Sequence, residues 1–206
     1  MRIGVLCGNF DPIHNGHLEL AEKASISCSL DRVYFVVYNK PYSVESRENR
    51  LQMVQCAIAD NEKFYVDDTD YGSPANAYFT YLEKYKNDSI YVIFDAISFS
   101  AFMNHPRFIE FAHMNITFLV GKHPFARRGQ KSSTFNEVCK LAPCAYVVTF
   151  EMLGGKIATY KIRNVLQHNL FRDKEVRYVI PDTVIQYIEE KGLYKNEKQS
   201  ANDGSL

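Results

Sequence analysis

The feature that most constrains the fold of this chain is the regular alternation of short apolar runs with segments of helical periodicity. Several of the runs are almost continuously apolar and rich in β-branched and aromatic residues, which is typical of parallel strands covered on both faces. The predicted strands are residues 2–7, 32–37, 63–66, 89–94, 115–120 and 145–150. Parallel strands need crossover connections, and helices supply them. The sequence therefore predicts an α/β fold with a doubly wound parallel sheet.

The segments between these runs carry apolar residues at helical spacing. The predicted helices are residues 17–27, 46–60, 74–86, 160–170 and 181–191. The third has tyrosines at positions 78, 81 and 85, a stripe that we interpret as core packing. The last begins with Pro181 in its first turn and stops at Gly192. We expect one domain, residues 1–194, followed by a polar tail, residues 195–206.

Charge and cysteine content limit the classes of partner. The 24 basic and 24 acidic side chains leave no net charge, which disfavours nucleic-acid or membrane coating. The five cysteines are scattered without a C-x-x-C pair, as in a reducing compartment. Cys139 and Cys144 with His123 match no usual zinc spacing, so no metal site is predicted. No apolar stretch reaches the ~18 residues of a membrane span. We expect a cytoplasmic protein; its oligomeric state is not predicted.

The stretch CGNFDPIHNGH, residues 7–17, follows the first predicted strand directly. In parallel sheets, ligands bind beyond the carboxyl ends of the strands, so this stretch occupies a binding position. Gly8 allows a sharp turn, and His14 and His17 flank a helix start whose free N–H groups favour an anion. An anion there would raise the pKa of both imidazoles. The alternative is that His14 caps or packs locally while His17 merely begins the helix.

The same stretch resembles the G-x-F-D-P-x-H-x-G-H signature of the H/T-x-G-H nucleotidyltransferases. It is most similar to the bacterial nicotinate-mononucleotide adenylyltransferases, which have a Rossmann-like fold. Three further segments match that family in order: Arg50-Leu51-Gln52-Met53, residues 157–163 (IATYKIR) and residues 180–194 (IPDTVIQYIEEKGLY). The resemblance is strong at both ends of the chain and only colinear in the middle.

The resemblance implies transfer of AMP from ATP to a mononucleotide, with release of pyrophosphate. By position it implies that His14, His17 and Arg163 act on the ATP phosphates, and that the ATP site also includes Gly8, Asn9, Phe10, Asp95, Ile157, Thr159 and Lys161. We further predict Thr159 as a helix N-cap, with Lys161 and Arg163 in the first turn. Because an attacking phosphate monoester is already mostly dianionic at neutral pH, positioning and charge neutralisation are sufficient. Mg²⁺ would bind mainly through the phosphates.

The acceptor half departs from the family pattern. The chain has no tryptophan, where the family commonly stacks the pyridine ring on one. The family's G-A-D reads Phe94-Asp95-Ala96, so the ribose contact of Asp95 is either made from a shifted position or lost. The predicted acceptor residues are Lys40, Tyr42, Phe102 and His105. We expect nicotinate mononucleotide to be the acceptor; the alternatives are nicotinamide mononucleotide, phosphopantetheine, or a nucleotide-binding protein without turnover.

Overall fold

The computed structural model confirms the parallel α/β architecture. It describes residues 1–39, 41–112, 114–122, 146–153, 157, 159–168 and 174–195. The strands are β1 (Arg2–Gly8), β2 (Arg32–Val37), β3 (Phe64–Asp67), β4 (Ser89–Asp95), β5 (Ile116–Lys122) and β6 (Tyr146–Glu151). All neighbouring pairs are parallel, in the order β3-β2-β1-β4-β5-β6. Each predicted strand is confirmed, with ends that differ by two residues at most.

The described helices are α1 (Asn15–Cys28), α2 (Arg47–Ile58), α3 (Pro74–Lys84), α4 (Ala96–Met103), α5 (Phe108–Ala112), α6 (Thr159–Gln167), α7 (Lys174–Arg177) and α8 (Asp182–Lys191). The sequence did not predict α4, α5 or α7. Pro181 is the N-cap of α8 rather than part of its first turn, and Gly192 ends that helix with a left-handed φ of 63° as expected.

Helices cover both faces of the sheet, and each face has its own core. One core joins α1, α2, α6 and α8 to the sheet through residues such as Leu20, Met53, Ile162 and Val184. The other joins α3, α4 and α5 to the opposite face through aromatic rings, including Tyr78 and Tyr81 of the predicted stripe. Burial of these two rings confirms the core interpretation of that stripe.

The strand order fixes where a ligand can bind. Strands β2 and β3 extend from one side of β1, whereas β4 to β6 extend from the other. The order of connection therefore reverses between β1 and β4, and the carboxyl ends of these two strands flank the switch point of the sheet. Gly8 ends β1 and Asp95 ends β4. Within the described parts of the chain, no helix is both long and apolar enough to span a membrane.

Candidate active site

The two histidines of the first motif lie face to face at the start of α1. Their ring centroids are 3.7 Å apart and their planes differ by 20°. His14 is the N-cap, and its backbone N–H donates to Nδ1 of His17 at 3.3 Å. The Oγ1 atom of Thr159, at the first residue of α6, is 3.3 Å from Nε2 of His14. The first motif and the second signature thus meet at the carboxyl edge of β1.

Burial sets the protonation state of His17. Partial burial of the ring lowers the pKa from 6.5 to about 4, because a charged imidazolium is poorly solvated there. Since Nδ1 accepts a hydrogen bond from the His14 backbone, the neutral ring carries its proton on Nε2. His17 is therefore a neutral donor at pH 7 whose pKa an incoming anion would raise.

Phe10 packs against the ring of His17. Its side chain is 2% exposed, and its ring meets His17 edge-on with centroids 5.1 Å apart. A Cβ added to Gly8 would lie 2.5 Å from Cζ of this ring, so only glycine leaves room for it. Phe10 itself has a φ of 47°, an uncommon conformation for a bulky residue. A contact between Phe10 and ATP is therefore restricted to its backbone, because the ring belongs to the core.

Arg163 reaches the same loop from α6. Its Nη1 atom donates to the backbone oxygen of Asp11 at 2.7 Å and lies 3.9 Å from Oδ2 of that residue. The prediction that Thr159 is the N-cap and that Arg163 lies in the first turn was wrong. Helix α6 begins at Thr159, and Arg163 is its fifth residue. Lys161 is exposed, and Ile157 packs beside Gly16. The structure brings His14, His17, Thr159 and Arg163 together around the loop after β1; their roles toward ATP stay a prediction.

Asp11 is a buried centre of this site that sequence reasoning did not assign. The residue is 2% exposed, and its carboxylate accepts hydrogen bonds from three groups besides its contact with Arg163. These donors are the N–H groups of Val44 and Glu45 and the hydroxyl of Tyr194, at 2.8, 3.3 and 2.9 Å. Burial and this carboxylate raise the pKa of Tyr194. The signal available in the sequence was the acidic residue inside F-D-P itself.

Comparison with known proteins agrees with this geometry. The sequence profile described as cytidylyltransferase-like matches residues 5–180. The chain belongs to the cytidylyltransferase-like family. A relative from Citrifermentans bemidjiense, named probable nicotinate-nucleotide adenylyltransferase, is 32% identical over 94% of this chain and 98% of its own. A relative of the same name from Geobacter sp. is 31% identical over 94% of this chain and 98% of its own.

Solved structures of similar fold include proteins of the same description. The Plasmodium falciparum nicotinic acid mononucleotide adenylyltransferase complexed with NaAD aligns with a TM-score of 0.72 over 94% of this chain and 97% of that one, at 16% identity. The same protein complexed with APC gives a TM-score of 0.73 over 94% and 96%, at 18% identity. At these identities the likeness shows the fold.

Asp95 occupies the position at which this cytidylyltransferase-like fold places the end of β4, across the switch point from Gly8. Its carboxylate is the N-cap of α4 and accepts bonds from the N–H groups of Ile97 and Ser98 at 2.8 and 3.0 Å. It also accepts from the hydroxyl of Ser98 at 2.7 Å. The structural role of Asp95 is thus the start of α4, and its ribose contact stays a prediction.

The predicted acceptor residues of this family member are divided between the loop after β2 and the region of α4. Tyr42 is fully exposed, with a φ of 70°, in the connection from β2 to α2. Phe102, 8% exposed, lies in the core among the rings of Tyr78, Phe94, Phe108, Phe111 and Phe118. His105 is exposed after α4. Lys40 lies outside the described residues. No described hydrogen bond or ring contact joins Tyr42 to Phe102 or His105.

Proposed function

We propose that this chain transfers AMP from ATP to nicotinate mononucleotide and releases pyrophosphate, a step in NAD biosynthesis. The observation that carries the proposal is the stacked pair His14 and His17 at the first turn of α1, with Arg163 held on the same loop. The relatives named as nicotinate-nucleotide adenylyltransferases cover almost the whole chain. Both findings support the same activity.

The chemistry required at this site is positioning and charge stabilisation. The second pKa of a phosphate monoester is about 6, so the acceptor phosphate is already a nucleophile at pH 7. Its attack on the α-phosphorus displaces pyrophosphate in line, without a protein nucleophile. Nε2–H of His17 is suited to donate to a phosphate oxygen, and the positive end of the α1 dipole favours the same negative charge. The N–H groups of Asn15 and His17 in that first turn already donate to the backbone oxygens of Val179 and His14. We assign His14 the same role, with Thr159 orienting its ring.

Arg163 is suited to hold the leaving pyrophosphate. Its Nη1 is tied to the Asp11 backbone, which fixes the guanidinium plane. Nε and Nη2 make no hydrogen bond within the described residues, and the side chain is 26% exposed. Two parallel donors on one fork match two phosphate oxygens. Lys161 adds positive charge at the exposed start of the same helix.

The remaining site residues follow from the position of the loop. We assign the nucleotide to the backbone of Gly8, Asn9 and Phe10 and to the second signature at Ile157 and Thr159, with Asp95 across the switch point. We assign the acceptor to Lys40, Tyr42 and His105; the ring of Phe102, which the sequence also suggested, packs in the second core instead. Mg²⁺ would accompany ATP through phosphate oxygens and supply positive charge to the triphosphate. No cluster of three metal-ligating side chains occurs in the described residues.

The test is pyrophosphate release from ATP with a panel of acceptors: nicotinate mononucleotide, nicotinamide mononucleotide and phosphopantetheine. We expect the highest kcat/KM with nicotinate mononucleotide. If another acceptor gives a higher kcat/KM, that acceptor is the substrate. If ATP binds but no acceptor is turned over, the chain is a nucleotide-binding protein and not an adenylyltransferase. His17→Ala should lower kcat about 10²–10³-fold with an unchanged circular dichroism spectrum; a near-normal kcat would refute the assignment of this site.

A further inference from the structure

Arg50 is the largest fully buried side chain in the described part of the chain, with 1% of its surface exposed. It lies on α2, inside the segment that resembles the family's R-L-x-M helix. Burial lowers its pKa, and the charge of Asp11 acts in the opposite direction. A buried cation is costly unless its donors are satisfied, so the partners of Arg50 decide what it does here.

The donors of Arg50 all point at oxygens of two loops. Its Nη1 atom donates to the backbone oxygen and Oδ1 of Asn9, at 2.7 and 2.9 Å, and to the backbone oxygen of Tyr38 at 3.0 Å. Nη2 donates to Oδ1 of Asn39 at 3.2 Å, and Nε donates to the backbone oxygen of Glu45 at 3.1 Å. No carboxylate lies within ion-pair distance of it among the described residues. One rigid guanidinium thus links the loop after β1 to the loop after β2.

These bonds also orient the peptide groups that face away from Arg50. In a trans peptide the C=O and N–H bonds point in opposite directions. Because the oxygen of Asn9 is drawn inward to Arg50, the N–H of Phe10 is directed away from it. The same holds for the oxygen of Tyr38 and the N–H of Asn39. Both N–H groups lie at the carboxyl edge of the sheet, where phosphates are expected to bind.

We propose that Arg50 is a positioning residue that holds the loop after β1, which we assign to ATP, in register with the loop after β2, which we assign to the acceptor. It acts by fixing the two loops and does not touch either substrate. This role rests on the proposed adenylyl transfer. In-line attack requires each phosphate to be placed to well within about 1 Å of its reactive position, so loose loops should lower kcat more than they weaken either substrate's binding.

The test compares Arg50→Lys with Arg47→Lys. Arg47 lies one turn earlier on α2 and also donates to two backbone oxygens, of Val37 and Asp68, but it has no bond to the loop after β1. A lysine at position 50 keeps the charge but cannot reproduce the fork. We expect kcat to fall about 10–100-fold in Arg50→Lys, with both KM values within about threefold of wild type. Arg47→Lys should keep wild-type kcat.

A second readout is independent of turnover. Amide hydrogen exchange should accelerate at Tyr38, whose N–H donates to the oxygen of Gly8, and at Val44 and Glu45, whose N–H groups donate to Asp11. This change should appear in Arg50→Lys and not in Arg47→Lys. If wild-type protein does not turn over nicotinate mononucleotide, the proposed function fails, while exchange still decides whether Arg50 links the loops.

Guanidinium rescue covers the case in which the lysine variant is too unstable to assay. Arg50→Ala leaves a buried space lined by the oxygens that accepted hydrogen bonds from the guanidinium. Added guanidinium at low millimolar concentration should therefore restore part of kcat, whereas urea should not. Equal kcat in Arg50→Lys and wild type, equal loss in the two lysine variants, or unchanged exchange at all three amides would each overturn the proposal.

Discussion

The contact between Gly8 and Phe10 makes a prediction whose size follows from the structure. In Gly8→Ala the new Cβ would lie 2.5, 2.6 and 2.9 Å from three carbons of the Phe10 ring. Carbon atoms normally approach to about 3.5–4.0 Å, so the overlap is about 1 Å. The Phe10 ring cannot move freely, because it packs between two other rings. Its centroid is 5.1 Å from that of His17 and 5.8 Å from that of Phe35. Phe35 is fully buried.

Two effects should result from this overlap. Forcing a methyl into a packed core costs about 1–3 kcal/mol of unfolding free energy. In a chain of this length Tm falls about 2–4 °C per kcal/mol. A displacement of the His17 ring by the same overlap should lower kcat up to about 10²-fold, since misplacement of a reacting group by 1 Å has that effect. Thermal unfolding and steady-state pyrophosphate release measure the two.

Gly72→Ala is the matched control. No heavy atom lies within 4 Å of the Cβ that it adds, but its φ of 70° disfavours any side chain. We expect a loss of about 1–2 kcal/mol with unchanged kcat. Adding Phe10→Leu to Gly8→Ala should recover stability without recovering kcat, because His17 then lacks the ring beneath it. Wild-type Tm and kcat in Gly8→Ala would refute the packing argument.

Three further predictions address the charges and the acceptor loop. Arg163→Lys should raise the KM for ATP or lower kcat at least about tenfold, because an ammonium cannot form a two-bond fork; steady-state kinetics equal to wild type would leave Arg163 as a solvated residue. His17 should titrate at about 4 in NMR spectra of the free protein, and higher with ATP bound. Because unfolded chains take up that proton near 6.5, stability should fall by up to about 3 kcal/mol between pH 6.5 and pH 4, and this slope should flatten in His17→Gln. Tyr42→Gly should relieve the positive φ and raise unfolding free energy by about 1 kcal/mol while raising the KM of the acceptor; lower stability with an unchanged KM would contradict both parts.

The strands were predictable because each is a short apolar run between turn residues, and β2 was predicted to the residue. Helix α4 was not, because its sequence AISFSAFM is apolar nearly all round and shows no 3.6-residue contrast. Its start signal was present in Asp95, but that residue was interpreted as a ribose ligand instead of an N-cap. Helix α5 has five residues, too few for any periodicity to appear.

In the site, too, contacts between residues close in sequence were predictable, and contacts between distant residues were not. His14 and His17 are three residues apart, so one turn of helix dictates their contact. The hydrogen bond from Tyr194 to Asp11 joins residues 183 positions apart, and that of Arg50 to the backbone of Asn9 spans 41. Nothing in the neighbourhood of either residue predicts its partner, because such contacts are set by the packing of whole elements.

The aromatic core also decides which ring can replace the missing tryptophan. Phe102 is enclosed by rings of α3, β4, α5 and β5, so turning it toward a ligand would open a cavity in the second core. Tyr42 and His105 are exposed, and each occupies a connection that follows the carboxyl end of a strand or its helix. These connections lie on opposite sides of β1 in the strand order. An acceptor ring stacked on Tyr42 would therefore approach β1 from the β2 side, and one stacked on His105 from the β4 side. The KM of the acceptor in Tyr42→Gly discriminates between these two positions, because it should rise only if the ring stacks on Tyr42.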